Sequence, residues 1–211
     1  MSRINQRRRT VISAALACAL TPSLLWASQR EETLADNVAS TMRRSVNNVS
    51  PARLVFSTPQ AGRQWLYEMS ARLAKFIPDA RERETILINV QYEAKRAGLD
   101  VQLILGLIEV ESMFRRYAIS GVGARGLMQV IPRFHMDKVP TGTSSHKWFD
   151  PAVNIRVGVR VLEDAIRRRG GLTAGLQSYS GSTSAEGSYA DKVLAEKARL
   201  ENAARRAPEP N

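Results

Sequence analysis

A chain of 211 residues can build one domain with a sizeable core, or one domain with an appendage, because single domains usually hold about 100 to 200 residues. Lysine and arginine total 31 against 20 acidic residues, and the formal net charge of +11 indicates either an anionic partner or a strongly solvated surface. The single cysteine, Cys18, excludes a disulfide framework within these residues.

The first residues have the composition of an export signal. Four arginines precede an acid-free apolar run from Val11 to Trp26, which is the order found in secretory signal peptides. The run is short for a membrane helix and contains Pro22, so it does not predict a stable span. We therefore expect a signal peptide over residues 1–27 and a periplasmic mature protein without a membrane span.

Two other export routes rank below the general secretory route. Arg8 and Arg9, followed by Thr10, resemble the start of a twin-arginine signal, but paired arginines are also common in ordinary signals. Lipidation at Cys18 would require the apolar run to end there, and it continues well past the cysteine.

Helical periodicity dominates the remaining chain. Apolar residues at four-residue spacing predict an amphipathic helix within residues 28–50, and a second helix with Trp65 and Phe76 on one face ends before Pro78. No chemistry is visible in either helix. We interpret residues 28–78 as an N-terminal helical extension.

The helical pattern strengthens from Asp79, which is typical of an N-cap, to a stop at Gly98. Asp100 then caps a helix whose apolar stripe is interrupted by Glu111. A Gly-rich loop over residues 121–126 follows.

A short helix is predicted from about Leu127, and a longer one begins after Asp150-Pro151 and stops at Gly170. Further helices are expected around Ala174 and through Val193. No strand-like alternation stands out, so the sequence predicts an all-α domain over residues 79–200 with a disordered tail over residues 201–211.

Glu111 is the residue whose position first suggests chemistry. It lies four residues after Leu107 and three after Ile108, so a helix directs its carboxyl group toward the core. Burial disfavours the ionised form, raises the pKa and favours a general acid. The alternative from position alone is a solvated glutamate at a helix end.

The residues after Glu111 form an uninterrupted set of motifs. These are Glu111-Ser112-Met113-Phe114, Ala118-Ile119-Ser120, Gly123-Ala124-Arg125-Gly126-Leu127-Met128-Gln129, Phe149-Asp150-Pro151 with Asn154, and Tyr179. In order and spacing they closely resemble the catalytic domain of soluble lytic transglycosylases over about residues 79–195. One position departs from that pattern, because Ser180 stands where the family usually has Asn.

The resemblance implies a lysozyme-like helical domain that cleaves the bond between N-acetylmuramic acid and N-acetylglucosamine and leaves 1,6-anhydromuramoyl ends. Glu111 would be the general acid and base, and neither a metal nor another cofactor is implied. Substrate-binding residues would be Ser120, Met128, Gln129 and Tyr179. Ser120 would hydrogen-bond the glycan, Met128 and Gln129 would line the cleft, and the Tyr179 hydroxyl would orient Glu111.

Plain packing is the alternative for two of these residues: Met128 as core and Tyr179 with its hydroxyl at the surface. The two histidines, His135 and His146, lack a metal-ligand spacing and are expected to be loop or packing residues.

The spacing of acidic residues bears on the reaction. After Glu111 the next acid is Asp137, so the adjoining loop offers no second carboxylate of the kind that most glycosidases use. The resemblance implies that the muramoyl 6-hydroxyl is the nucleophile.

The main alternative is a hydrolytic muramidase of the goose-lysozyme kind, which would recruit Asp137 or Asp150 to activate water. A wall-binding or wall-remodelling accessory protein of a secretion or conjugation apparatus is a third possibility. We expect peptidoglycan strands as the partner and no nucleic acid, because the basic residues are scattered along an exported chain.

Overall fold

The computed structural model describes residues 51–139, 142–181 and 188–205. The predicted signal peptide and the predicted helix within residues 28–50 lie outside these ranges. Six α-helices occur in the described residues: α1 Pro59–Leu73, α2 Ala80–Arg96, α3 Val101–Ser112, α4 Pro151–Arg169, α5 Leu172–Ser180 and α6 Ser188–Arg205. Short 3-10 helices span Pro132–Phe134, Met136–Lys138 and Ser145–Phe149.

The prediction of an all-α fold is confirmed. Within the described ranges, extended pairing is confined to two isolated bridges, which join Arg125 to Ile119 and to Val130. In the same ranges, no helix combines the length and the apolar character needed to cross a lipid bilayer.

Three aspartates begin helices as the sequence predicts. Asp79 accepts a hydrogen bond from the Glu82 amide at 2.7 Å, Asp100 from the Gln102 amide at 2.7 Å, and Asp150 from the Ala152 amide at 2.9 Å. Each carboxylate satisfies a helix N–H group that has no partner within its helix and lies at the positive end of the helix dipole. These caps fix where α2, α3 and α4 start.

Helix α3 lies at the centre of the core. Seven of its first eight residues are buried, and Ile104, Leu105 and Ile108 have no exposed surface. Burial of each such side chain contributes roughly 1.5–3 kcal/mol relative to leaving it in water. The first two turns of the helix that carries Glu111 are therefore packed on all sides by other parts of the chain.

Helix α6 approaches α3 closely at Gly106. A Cβ atom at this position would lie 2.9 Å from the Lys197 backbone nitrogen and 3.0 Å from the Val193 carbonyl oxygen. Only glycine allows two backbones to approach this closely. The contact sets the distance between α6 and α3, the helix that carries Glu111.

Residues 51–78 belong to the same compact unit as the predicted catalytic domain, which differs from the predicted boundary at residue 79. Met69, Leu73 and Ile77 are buried in the core. The buried Gln91 of α2 accepts from the Val55 amide at 2.9 Å and donates to the Val55 carbonyl at 2.7 Å. The apolar face of α1 is therefore buried in this unit, and α1 is not part of a separate extension.

Two further predictions about local structure are wrong. Residues 126–129 form a turn and not the start of a helix, because Arg125 and Val130 exchange backbone hydrogen bonds of 2.9 and 3.1 Å around them. Helix α6 continues to Arg205, so residues 201–205 are not part of a disordered tail. Residues 206–211 lie outside the described ranges.

Candidate active site

Glu111 lies in the last turn of α3, just before a sharp change of chain direction. Met113 and Phe114 follow with φ of 52° and 61°, in the left-handed region that residues other than glycine rarely adopt. Such conformations cost of the order of 1–3 kcal/mol each and occur often at functional sites. Phe114 is buried against Phe76, with 5.3 Å between ring centroids, and this packing stabilises the turn.

The Glu111 carboxyl group is largely shielded from water and accepts a hydrogen bond from the Tyr189 hydroxyl of α6. Burial raises the pKa of Glu111 above its ordinary value, and the hydrogen bond from Tyr189 acts in the opposite direction. Burial is the larger of the two effects. The group is therefore suited to remain protonated at a pH where an exposed glutamate is ionised.

Glu109, two residues before Glu111, has a different role. It forms an ion pair with Arg199 of α6 and ties the two helices together. No ion pair to Glu111 occurs among the described residues. Of the two carboxyl groups, Glu111 is the one whose proton can be exchanged without breaking a salt bridge.

Tyr179 also lies near Glu111, but its hydroxyl donates to the Met128 carbonyl at 2.7 Å. Burial and the nearby charge of Glu111 both raise the pKa of Tyr179 well above its usual range. The prediction that its hydroxyl orients Glu111 is wrong. The Tyr189 hydroxyl makes that contact, whereas the Tyr179 hydroxyl holds the turn at residues 126–129 through the Met128 carbonyl.

The sequence motifs alone missed Tyr189. It occurs in the first turn of α6, beside Ala190 and four residues before Val193, both of which have no exposed surface. A tyrosine at the edge of a buried helical stripe is the one signal that could have identified it.

Asn154 of α4 organises the turn that contains the Gly-Leu-Met-Gln motif. Its side chain has no exposed surface, accepts from the Met128 amide at 2.8 Å, and donates to the carbonyls of Arg125 at 2.8 Å and Trp148 at 2.9 Å. Gly126 has φ of 75°, and a Cβ atom there would lie 2.5 Å from the Asn154 amide nitrogen. The geometry of this turn thus depends on one asparagine and one glycine.

Ser112 connects the end of α3 to the same turn. Its buried hydroxyl lies 2.8 Å from the Leu127 carbonyl oxygen and 3.1 Å from the Ile108 carbonyl oxygen. The single hydroxyl proton serves one of these acceptors at a time, and the shorter contact is the one to the turn. Ser112 therefore fixes the spacing between Glu111 and the turn at residues 126–129.

The other predicted site residues lie on the loop between α3 and α4. The Ser120 hydroxyl oxygen accepts from the Ala124 amide at 3.1 Å. The Gln129 side-chain amide donates to the carbonyls of Gly126 at 3.0 Å and Ala118 at 3.2 Å. Both side chains are partly exposed, so each retains hydrogen-bonding capacity for a ligand.

Met128 differs from the prediction that its side chain lines the cleft. The side chain is 0% exposed and packs against Gly158 of α4. Its backbone, held by Asn154 and Tyr179, is the part that belongs to the site. The packing alternative considered for this residue is the observed one.

The two aspartates that a hydrolase could recruit have other partners. Asp137 is 70% exposed and lies 3.5 Å from Lys138, whereas Asp150 caps α4. Among the described residues no group of three or more His, Cys, Asp or Glu side chains has a geometry that could hold a metal ion.

The family model for the transglycosylase SLT domain matches residues 88–202, which is more than half of the chain. The chain belongs to this family. The matched SLT domain region contains Glu111, the turn held by Asn154, and both tyrosines of the site. It begins within α2, so α1 lies before the match.

The curated relatives are longer than this chain. A membrane-bound lytic murein transglycosylase C of Mannheimia succiniciproducens is 32% identical over 144 residues, which are 61% of this chain and 40% of that protein. The protein of the same name from Haemophilus influenzae strain PittGG is 42% identical over 79 residues, which are 35% of this chain and 22% of that protein. The chain thus spans less than half the length of these relatives.

The fold also matches a solved structure. The lytic transglycosylase Slt of Pseudomonas aeruginosa, determined as an inactive mutant, aligns with a TM-score of 0.51 at 22% identity over 70% of this chain and 29% of that chain. This likeness identifies the fold as that of lytic transglycosylases. The prediction of a lysozyme-like SLT domain is confirmed by the family match and by this neighbour.

Proposed function

We propose that this protein is a peptidoglycan lytic transglycosylase with Glu111 as its general acid and base. The observation that carries the proposal is the protonatable Glu111 carboxyl group, half-buried at the end of α3 and held by Tyr189 without an ion pair among the described residues. Family membership and the names of the curated relatives support murein as the substrate.

In the proposed reaction, protonated Glu111 donates its proton to the glycosidic oxygen between N-acetylmuramic acid and N-acetylglucosamine as the bond to the anomeric carbon breaks. The muramoyl 6-hydroxyl oxygen then bonds to that carbon and transfers its proton to the Glu111 carboxylate. The acid is restored, no water is consumed, and the product carries a 1,6-anhydro ring. A single carboxyl group suffices because the substrate supplies its own nucleophile.

A hydrolytic mechanism is less well supported. Burial and a tyrosine hydrogen bond perturb the pKa of Glu111, and neither effect comes from a neighbouring carboxylate. Asp150 is engaged at the start of α4, and Asp137 lies beside Lys138 on the surface. Neither is prepared to activate a water molecule for Glu111.

We also propose roles for the loop residues. The Ser120 hydroxyl oxygen accepts from Ala124, which leaves its proton for a sugar oxygen, and Gln129 faces the same loop. Met128 and Tyr179 act through the backbone of the turn, because their hydrogen bonds fix its position. The substrate contacts expected of Met128 and Tyr179 thus become positioning roles.

The site of action follows from the substrate. Peptidoglycan lies in the cell envelope, so we propose export through the signal peptide predicted over residues 1–27 and function in the periplasm. The relatives are named as membrane-bound. Service to a secretion or conjugation machine remains a hypothesis from the sequence.

Digestion of purified sacculi tests the reaction. We expect soluble muropeptides ending in 1,6-anhydro-N-acetylmuramic acid, which mass spectrometry distinguishes from reducing ends by the absence of one water. A goose-type lysozyme digest run in parallel supplies the reducing-end standard. Products with reducing ends would reject transglycosylation and favour the hydrolytic alternative.

The hydrogen bond from Tyr189 predicts a change in pH dependence. It lowers the pKa of Glu111, so Tyr189→Phe should raise that pKa further. The protonated acid then persists to higher pH, and the alkaline limb of the kcat/KM profile should move to higher pH. We expect a loss of about 10-fold or more in kcat as the carboxyl group loses its orientation.

The matched control is Tyr67→Phe, because the Tyr67 side chain is 75% exposed on α1. Its pH profile should coincide with that of the unmodified chain. An unchanged alkaline limb in Tyr189→Phe would mean that Tyr189 does not tune Glu111.

A further inference from the structure

The two 3-10 helices Pro132–Phe134 and Met136–Lys138 present apolar side chains to solvent. Phe134 is 61% exposed and Met136 is 49% exposed. Three backbone hydrogen bonds of 2.9 to 3.1 Å close the turns of this segment. The two apolar side chains are therefore held at the surface by a fixed backbone.

The same segment is attached to the last turns of α4. Lys138 Nζ lies 2.9 Å from one carboxylate oxygen of Asp164, and Arg167 lies 2.5 Å from the other. Burial lowers the pKa of His135, and the positive charges of Lys138 and Arg168 add to this effect, so Arg168 also lies close to the segment. The 3-10 segment and the end of α4 thus form one surface.

Positive charge dominates this surface. The Arg133 guanidinium lies 4.7 Å from the centre of the Phe134 ring. Asp164 is paired with two cations, which leaves Asp137 as the exposed carboxylate among the described residues of this surface. Its exposed apolar and cationic residues, which we call the Phe134 surface, are Arg133, Phe134, Met136, Arg167 and Arg168.

A solvated helix end explains only part of the Phe134 surface. Cations in the last turn of a helix interact favourably with its dipole, which accounts for Arg167 and Arg168. It gives no reason for an exposed phenylalanine and methionine beside them. Apolar side chains flanked by cations are typical of surfaces that lie at a lipid interface, where cations meet phosphates and apolar groups enter the acyl boundary.

The chemistry of the Phe134 surface favours a lipid over a glycan strand. Neutral sugars gain little from three arginines, and the thioether of Met136 offers them at most a weak hydrogen-bond acceptor. An anionic phospholipid carries a phosphate group and acyl chains in the same molecule. It therefore complements both the charge and the apolar side chains of this surface.

The Phe134 surface lies apart from the turn next to Glu111. Asn154, which holds that turn, precedes Asp164 by ten residues on α4, which is about 15 Å along the helix axis. A ligand at the end of α4 thus leaves the turn at residues 126–129 accessible.

We infer that the Phe134 surface docks onto a bilayer that contains anionic phospholipid. The arginines bind lipid phosphates, and Phe134 and Met136 enter the boundary between headgroups and acyl chains. This inference goes beyond the proposed function and does not depend on it, because docking needs no chemistry at Glu111.

Co-sedimentation with vesicles tests the inference. The chain without its predicted signal peptide is used, since residues from Pro51 onward form one compact unit. It should bind vesicles that contain phosphatidylglycerol at least about tenfold more tightly than vesicles of phosphatidylcholine alone. Soluble glycerol phosphate, added at constant ionic strength, should not release it, because this anion lacks acyl chains.

Two variants separate the apolar contribution from the cationic one. Phe134→Ser should weaken binding to the anionic vesicles about tenfold, because the ring no longer leaves water. The double variant Arg133→Gln with Arg168→Gln should also weaken it about tenfold, because two phosphate contacts are lost. Both variants should still release anhydro muropeptides from soluble strands, so docking and catalysis can fail separately.

Matched control variants come from exposed residues on other helices. Tyr67→Ser removes an exposed aromatic ring of α1, and Arg63→Gln with Arg81→Gln removes two exposed cations of α1 and α2. Each control should bind the anionic vesicles as tightly as the unmodified chain. A loss in the controls equal to that in the Phe134 surface variants would overturn the inference.

A spin-labelled lipid locates the contact directly. Bicelles that contain phosphatidylglycerol and a spin-labelled phospholipid should broaden the backbone NMR signals of residues 133–138 and 167–168 more than those of residues 126–129. Equal binding to both kinds of vesicle, unchanged binding by Phe134→Ser, or broadening confined to other residues would overturn the inference.

Two further outcomes would assign the surface to another ligand. Release by glycerol phosphate would mean that the surface recognises a free phosphate group and not a bilayer. Binding to sacculi that is lost in Phe134→Ser, without binding to vesicles, would mean that the surface contacts the wall. Either result would overturn docking onto lipid.

Discussion

Replacement of Glu111 by Gln is expected to abolish release of muropeptides from sacculi, with a loss of about 10³-fold or more in kcat. The amide keeps the size and the hydrogen-bond acceptor of the side chain, but it can neither donate a proton to the glycosidic oxygen nor remove one from the 6-hydroxyl. General acid–base catalysis typically contributes 10²–10⁴-fold, and here one group performs both steps. The measurement is the initial rate of solubilisation of labelled sacculi.

The same variant should remain folded, and the direction of the pKa shift predicts how its stability behaves. The folded pKa of Glu111 is raised above its ordinary 4.5, so the folded state retains a proton that the unfolded state has lost. Stability therefore falls as pH rises from about 4.5 through the raised pKa. A glutamine side chain does not titrate, so the variant does not lose stability in this way as the pH rises. At neutral pH Glu111→Gln should therefore unfold at the same temperature as the unmodified chain or at a higher one.

These two results separate catalysis from folding. Glu109→Gln is the comparison, because Glu109 pairs with Arg199 and has no proposed catalytic role. It should retain cleavage and remain folded, because Arg199 keeps its second partner, Glu196. Full activity in Glu111→Gln would reject the proposed acid, and a folded but inactive Glu109→Gln would show that the carboxyl groups have been misassigned.

Asn154→Ala is expected to lower the free energy of unfolding by about 3 kcal/mol or more. It removes three hydrogen bonds and leaves the Met128 amide and the carbonyls of Arg125 and Trp148 without their partner in a buried region. Each unsatisfied buried group costs roughly 1–3 kcal/mol, and some relaxation or water entry recovers part of that. Thermal unfolding monitored by circular dichroism should show a decrease on the order of 10 °C.

Asn89→Ala provides the matched control in the same fold. Asn89 is also buried, but its side chain makes a single hydrogen bond, from its amide nitrogen to the Thr85 carbonyl at 2.7 Å, and its carbonyl oxygen has none. Its replacement should cost about 1 kcal/mol. Equal losses in the two variants would mean that Asn154 does not hold the turn.

Local signals in the sequence were sufficient for most helices and for the position of Glu111. Asp79, Asp100 and Asp150 are caps because the carboxylate contacts an amide only two or three residues away. The position of Glu111 at the end of an apolar stripe follows from helical periodicity alone. Short-range interactions of this kind can be predicted from the order of residues along the chain.

Long-range packing determined what sequence reasoning missed. Leu127 and Met128 are good helix formers, but reciprocal hydrogen bonds between Arg125 and Val130 and the distant Asn154 hold them in a turn. Whether Tyr179 or Tyr189 reaches Glu111 depends on how α5 and α6 pack beside α3. The local sequence offers only one hint, which is that Tyr189 lies at the edge of a buried stripe of α6.

The glycine at position 106 connects helix spacing to chemistry at a distance. It lets α6 rest directly on α3, and Tyr189 at the start of α6 reaches Glu111 five residues further along α3. A single methyl group there would separate the two backbones and loosen the phenol from the carboxyl group. The acidity of Glu111 is thus sensitive to the residue at position 106, and a substitution there would change the pKa of the proposed acid while leaving the loop around Ser120 and Gln129 unchanged.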